Sequence, residues 1–298
     1  MSLAVFSPGI LTSLAIFTGY GLVLSATGPA REATGLTGAG THQRIVRGEV
    51  QQLGAGTVQS FVAIGPQGAP VAIGVTLSAG ALDQLPQSPN TVSRCFDLDG
   101  NGRHTGHECI GDEERILDVP VGPSSGLPFR WISVNWNPAG HYNTPYVQPH
   151  FDFHFNIVDR ERIESIRPGR CGELADCDDF KRATVPVPAQ YLPSGYIDVG
   201  AVVPRMGNHL LDSKSPELKD SLPFTSTFIY GAYQGELIFW EPMITHDYLR
   251  NTTDACLEIR QPGAFRQAGY YPTRYCVRQN QEGERTVSLE GFRYSSAL

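Results

Sequence analysis

The chain has 298 residues and a formal net charge of −7. Its Lys and Arg residues are scattered and form no basic stripe, which argues against nucleic acid and leaves a small molecule or another protein as the expected partner. Abundant Gly and Pro, strand-like runs between turn residues and scarce helical periodicity indicate an all-β fold, a single antiparallel β-barrel or sandwich with a few short helices and long loops.

Residues 1–30 carry no charged side chain, and 10–24 are apolar enough for the core of a signal peptide. The usual basic n-region is missing, so an uncleaved N-terminal anchor of marginal length stays open, and it would be the chain's only contact with a membrane. Either way the expected location is secreted or extracytoplasmic. A linker follows at 31–43, then one β domain at 44–298. The six cysteines, Cys95, Cys109, Cys171, Cys177, Cys256 and Cys276, fall into three sequence-local pairs and contain no CxxC. In an exported protein that favours three disulfides over a zinc cluster, with connectivity left open.

Residues 44–50, 58–64 and 70–77 read as strands of a meander, with Gly65-Pro66-Gln67-Gly68 as a turn. Residues 78–85 read as a short helix capped by Ser78 and closed by Pro86. Next comes an insert at 95–109 resembling the twelve-residue EF-hand loop: Asp97, Asp99, Asn101 and Glu108 at ligand positions, the Arg103 carbonyl as a further ligand, and Gly102 at the sharp turn. His104 is unusual at its position and no helices flank the loop, so a disulfide would have to clamp it. The alternative is an Asp/Gly turn without an ion. Strands follow at 115–119 and 129–136.

The densest stretch is 131–155, which holds His141, His150 and His154. In His150-Phe151-Asp152-Phe153-His154-Phe155 polar and aromatic residues alternate, so a strand here has a His/Asp/His face and a Phe/Phe/Phe face. Two imidazoles flanking a carboxylate suit a metal or catalytic cavity. His150 and His154 would nevertheless sit ~13 Å apart at Cα on a straight strand, so both can hold one ion only if the strand bends. Otherwise Asp152 pairs with one histidine, completed by His209, delivered from a turn after Gly207, and by Glu241 or His141. A capped helical turn is expected at 159–166, a strand at 197–203, and a hairpin built from 228–230, the turn 231–235 and 236–241, in which Glu241 shares the face of Phe239 and Leu237. The runs 269–277 and 285–292 close the fold.

Four motifs in order, WNPxGH (Trp136 to His141), PHFDxHF (Pro149 to Phe155), MGxH with a later Asp (Met206 to Asp212) and YGxYxGxxxFxEPMIT (Tyr230 to Thr245), resemble a bacterial family of uncharacterised, exported β-barrel proteins. The sequence departs from that pattern at Asn156 and Leu210, and the 95–109 insert looks like an addition. The resemblance implies a fold and weight on these motifs, but no reaction. A looser similarity to cupins is analogy alone.

No strand-to-helix nucleophile elbow, P-loop or HExxH is present. The expectation is therefore an exported metal-binding β-barrel protein, with His150, His154 and His209 around one divalent transition metal (Zn, Fe or Mn), Asp152 and Glu241 as catalytic carboxylates, and a small-molecule ligand or substrate. A ligand-binding module without turnover stays open, as does a homo-oligomer in which the histidines form an ion-free polar network.

Overall fold

The computed structural model describes residues 43–104, 108–122, 125–141 and 144–298. The expected leader or anchor, and the linker up to residue 42, lie outside the described residues. Sixteen strands are defined among these: β1 (Arg44–Leu53), β2 (Gly56–Ile64), β3 (Pro70–Leu77), β4 (Glu113–Asp118), β5 (Trp131–Asn137), β6 (His150–Asn156), β7 (Pro168–Cys171), β8 (Tyr196–Val203), β9 (Gly207–Asp212), β10 (Ser226–Tyr233), β11 (Glu236–Thr245), β12 (Asp254–Glu258), β13 (Gly269–Tyr271), β14 (Arg274–Gln279), β15 (Arg285–Glu290) and β16 (Arg293–Ser295). Four short helices accompany them, α1 (Arg160–Glu164), α2 (Cys177–Ala183), α3 (Pro216–Lys219) and α4 (His246–Asn251).

The strands form two large antiparallel sheets, ordered β1-β2-β3-β15-β14-β12 and β4-β5-β6-β11-β10-β9-β8, with β13 and β16 as a separate ribbon. Neither large sheet closes on itself, so the architecture is a sandwich and not a barrel. One apolar core joins Val62, Ile73, Val75 and Val287 of the six-stranded sheet to Ile132, Val134, Phe151, Phe153, Phe155 and Trp240 of the seven-stranded sheet. The phenylalanine face of β6 therefore points into the sandwich, and Phe151, Phe153 and Phe155 are each fully buried.

The opposite face of the seven-stranded sheet is covered as well. Ile163 and Ile166, from α1 and the turn after it, and Ala175 and Ala183, from α2 and the loop before it, pack with Ile229, Phe239 and Met243 in a second apolar cluster. Being covered on both sides, β5 and β6 are buried along their whole length. The histidine face of β6 consequently lies outside the sandwich and beneath a layer of loops, which corrects the expectation of a cavity inside a barrel.

Three disulfides fasten the periphery: Cys95–Cys109, Cys171–Cys177 and Cys256–Cys276. No helix among the described residues is long and apolar enough to cross a membrane. Three local expectations fail, the first being the hairpin turn at 231–235, where Gly231, Ala232 and Tyr233 continue β10 and only Gln234 and Gly235 form the turn. Residues 78–85 form successive turns in place of a helix, because Gly80 takes a left-handed φ of 88° that no helix accommodates. The run 269–277 is split between β13 and β14, which belong to different sheets, and the break falls at Pro272, which has no N–H to give a ladder.

Truncating Phe153 to Ala should cost about 3–5 kcal/mol, since a fully buried ring between two sheets leaves a cavity they cannot close. Denaturant unfolding of the variant checks this, and a loss below about 1 kcal/mol would place that face outside the core.

Candidate metal centre

Strand pairing sets out the floor of the site. On β6, His150, Asp152 and His154 stand opposite Asn137, Asn135 and Ser133 of β5. On the other side β6 pairs with β11, where Asp152 faces Met243 and the same register sets His154 beside Glu241. His209 comes from β9, where it pairs with Gly231 of β10, which in turn pairs with Phe239 of β11. Three strand spacings, ~14 Å, thus separate the backbones of His154 and His209, yet their ring centroids are 5.7 Å apart. Gly231 makes this approach feasible. A Cβ there would lie 2.1 Å from the Phe239 ring, which leans over the glycine and touches both imidazoles.

His209 sits within a strand, after a turn that ends at Gly207, and not in the turn itself. The close approach expected at Gly207 is present, with φ at 117° and the Ala232 carbonyl 3.1 Å from where a Cβ would stand. Its ring is aimed by a β-bulge. The β8–β9 register slips between Asp198 and Ala201, and the Ala201 carbonyl accepts a hydrogen bond from His209 Nδ1 at 3.1 Å. A second slip, between β10 and β11, reverses the parity before Phe239. Phe239 and Glu241 face the histidines, whereas Leu237 packs against the sandwich core and does not share their face.

The candidate ligands separate into two trios, each with its donor atoms within 4.8 Å of one another: His154, His209 and Glu241, and His141, His150 and Asp152. The expected set His150, His154 and His209 is not one group, because β6 runs in unbroken register with β5 and its two histidines meet different neighbours. In the first trio the Nε2 atoms of His154 and His209 lie 3.6 and 3.9 Å from Glu241 Oε2. In the second, His150 Nε2 lies 3.2 Å from Asp152 Oδ1, and His141 Nε2 lies 3.7 Å from Asp152 Oδ2. Tetrahedral ligands ~2.1 Å from a common ion stand about 3.4 Å apart, close to these separations.

Five of these side-chain atoms are buried with no hydrogen-bond partner among the described residues: His150 Nε2, Asp152 Oδ1, Glu241 Oε2 and both ring nitrogens of His154. Each such atom costs roughly 1–3 kcal/mol. Together they approach the ~5–15 kcal/mol by which a domain is stable at all. The tautomers sharpen the conflict. A carbonyl only accepts, so His209 Nδ1 bonded to Ala201 and His150 Nδ1 bonded to Gln148 at 2.7 Å carry their protons there. The neutral His209 ring then turns an Nε2 lone pair towards Glu241, and two acceptors can face one another only across a proton or a cation.

Electrostatics differ between the trios. Burial lifts the Glu241 carboxyl well above the usual range, helped by the charge of Asp152. Burial also lowers His154, to about 3, and lowers His209. This trio is therefore uncharged at neutral pH until a cation draws the proton from Glu241. Burial opposes the charge of Asp152 too, but the positive charge of His150 and the nearby His141 outweigh it and hold the carboxyl well below its ordinary value. Asn137 Nδ2 adds a 2.7 Å hydrogen bond to Asp152 Oδ2.

A cavity of ≈ 680 Å³ opens above this floor, reached by His141, Asp152, His209 and Glu241 and walled by apolar groups such as Tyr146, Met206 and Met243. Its lining includes Glu173, inside the Cys171–Cys177 loop, and the buried Asp112, just beyond Cys109, so two disulfides fasten segments that line it. Sequence reasoning had Asn137 only as part of WNPxGH, without a role of its own, and His141 as an alternative partner. The carbonyls of Gln148 and Ala201 carry no side-chain signature and were out of its reach. In the EF-hand-like loop, oxygens of Asp97, Asp99 and Glu108 lie within 4.8 Å of one another, and Glu108 Oε1 accepts from Leu98 N–H at 2.9 Å. Asn101 and Arg103 are exposed beside them, and residues 105–107 lie outside the described residues.

No family model matches the chain, and neither a curated protein nor a solved structure matches it.

His154 gives a pH signature to the metal-free protein. A histidine in the unfolded chain binds a proton near 6.5, but this buried ring does so only near 3, so between those values the unfolded state holds more protons. Stability in chelator should fall as pH drops from 6.5 towards 3, and His154→Gln should flatten that slope. Parallel slopes for the two proteins would contradict a buried neutral ring.

Proposed function

We propose that this is an exported metal-binding protein whose ion lies on the loop-covered face of the seven-stranded sheet, held by His154, His209 and Glu241, and which acts on a small molecule admitted through the cavity. The observation that carries the reading is the burial of His154 with both ring nitrogens unpartnered, its Nε2 converging with that of His209 on one carboxylate oxygen. Two imidazoles and a carboxylate suit Zn²⁺, Fe²⁺ or Mn²⁺. Such an ion supplies Lewis acidity or activates water or dioxygen. In this arrangement Glu241 is a ligand more than a catalytic base. Asp152, kept ionised by His150, His141 and Asn137, presents a fixed negative charge to whatever enters. Export is supported by the three disulfides and by the apolar leader-like sequence. The resemblance to exported bacterial proteins agrees with it.

Metal analysis of the purified full chain tests the reading. A divalent transition metal should co-purify or bind at micromolar concentration, and Glu241→Gln should weaken that binding at least about tenfold through loss of the anionic ligand. Absence of binding, with His154→Ala altering only the stability of the fold, would leave an ion-free polar network. Metal binding without turnover of any small molecule would instead support a ligand-capture module.

For the disulfide-clamped loop we propose a structural Ca²⁺ held by Asp97, Asp99, Asn101, the Arg103 carbonyl and Glu108, with an affinity of ~10⁻⁴ to 10⁻³ M. The supporting observation is the convergence of the three carboxylates inside the Cys95–Cys109 bridge. Millimolar calcium should raise the melting temperature relative to chelator, and Asp99→Ala should abolish the increment. Equal melting temperatures would count against the ion.

A further inference from the structure

We propose that the same floor carries a second divalent-cation site, formed by His141, His150 and Asp152, so that each chain holds two ions that share no ligand. This rests on reading the face as a metal centre, but it comes from a different set of residues and stands or falls separately.

Three features make this trio a built site. The first is the orientation of His150, which is fully buried. Its Nδ1 donates to the Gln148 carbonyl at 2.7 Å, which directs Nε2 to Asp152 Oδ1, 3.2 Å away. Both Nε2 and Oδ1 lack a hydrogen-bond partner among the described residues. The second is the clamp on Asp152, whose Oδ2 accepts from Asn137 Nδ2 at 2.7 Å, so the carboxylate is held facing the two histidines. The third is the delivery of His141. Gly140 has φ 64°, and a Cβ there would stand 2.5 Å from the Tyr146 carbonyl oxygen. The His141 N–H donates to that oxygen at 2.8 Å, pinching the β5–β6 connection shut and setting Nε2 3.7 Å from Asp152 Oδ2. The Gly-His end of WNPxGH thus has a mechanical meaning: only glycine lets the chain pass close enough to bring the imidazole over Asp152.

The ions would be separate because the donor atoms converge in two distinct trios. Both oxygens of Asp152 are committed on this side, Oδ1 towards His150 and Oδ2 towards His141 and Asn137. The unpartnered Glu241 oxygen faces His154 and His209. Two imidazoles and one carboxylate again select a borderline cation such as Zn²⁺ over Ca²⁺ or Mg²⁺, which require mostly oxygen. Access differs between the sites. The His141 side chain is 34 % exposed at the cavity edge, whereas those of His154 and Glu241 are at most 2 % exposed. The rim ion is therefore the one that exchanges readily and reaches an incoming ligand first.

Zinc titration of the chelator-treated full chain, read by calorimetry and by metal content after desalting, tests the proposal with His141→Gln and His209→Gln. His141 is on a loop, so its variant keeps the core intact, and circular dichroism verifies the fold of each. Wild type should bind about two zinc ions per chain and each variant about one, with the ion kept by His141→Gln leaving more slowly on addition of chelator. One ion in wild type, kept by His141→Gln and lost by His209→Gln, would overturn the second site and leave the function proposed above intact. One ion lost in both variants would mean a single shared centre and overturn the proposal. One ion lost only in His141→Gln would overturn both the pairing and the placement at Glu241. No zinc in any of the three proteins would remove the metal reading altogether.

Discussion

Two carboxyl groups and the imidazoles beside them are buried against one another on the outer face of β6, and His150 Nε2, Asp152 Oδ1, Glu241 Oε2 and both ring nitrogens of His154 have no hydrogen-bond partner among the described residues. Water-exposed acceptors can tolerate such neighbours, because solvent hydrogen atoms intervene. Beneath a layer of loops the same arrangement is repulsive and costs several kcal/mol unless protons or cations occupy the gaps. The trios meet this differently. Around Glu241, burial suppresses ionisation and keeps the group neutral, while around Asp152 the nearby histidines keep the carboxylate charged. The surrounding architecture makes sense as a means of maintaining this opposition.

The seven-stranded sheet provides the rigidity. Its inner face is locked by the sandwich core, with Phe151, Phe153 and Phe155 directly behind the polar residues, so β6 cannot twist its histidines out to solvent without opening that core. Lateral reach comes from Gly231, whose missing side chain gives the Phe239 ring room and allows histidines three strands apart to meet. Orientation comes from main-chain carbonyls at Gln148 and Ala201, the latter placed by a bulge. Disulfides fasten two of the segments that line the cavity above this floor.

The alternation in His150 to Phe155 was enough to identify both faces of β6 and the residue types at stake, because parity on a strand is a local property. The grouping of those residues was not legible. Which histidine meets which carboxylate depends on the lateral register with β11 and β9, and those pairings join positions far apart in sequence. Barrel and sandwich likewise share one strand pattern and differ only in whether the edge strands meet. The parity error at Leu237 has a local cause, the slip between Gly231 and Ala232, which adds a residue on β11 without any marker in the sequence. Asn137 was in view within WNPxGH, yet its role needs Asp152 at its side, and only the β5–β6 pairing supplies that.

X-ray absorption spectroscopy at the zinc edge, on the zinc-loaded full chain, tests the central claim most directly, since it reports the atoms bonded to the ion. The account requires nitrogen and oxygen neighbours at about 2.0–2.1 Å, with the outer-shell scattering of two imidazoles per ion and no sulfur. A spectrum of water and carboxylate oxygens alone, without imidazole scattering, would show that the opposed lone pairs on β6 are not where the metal binds.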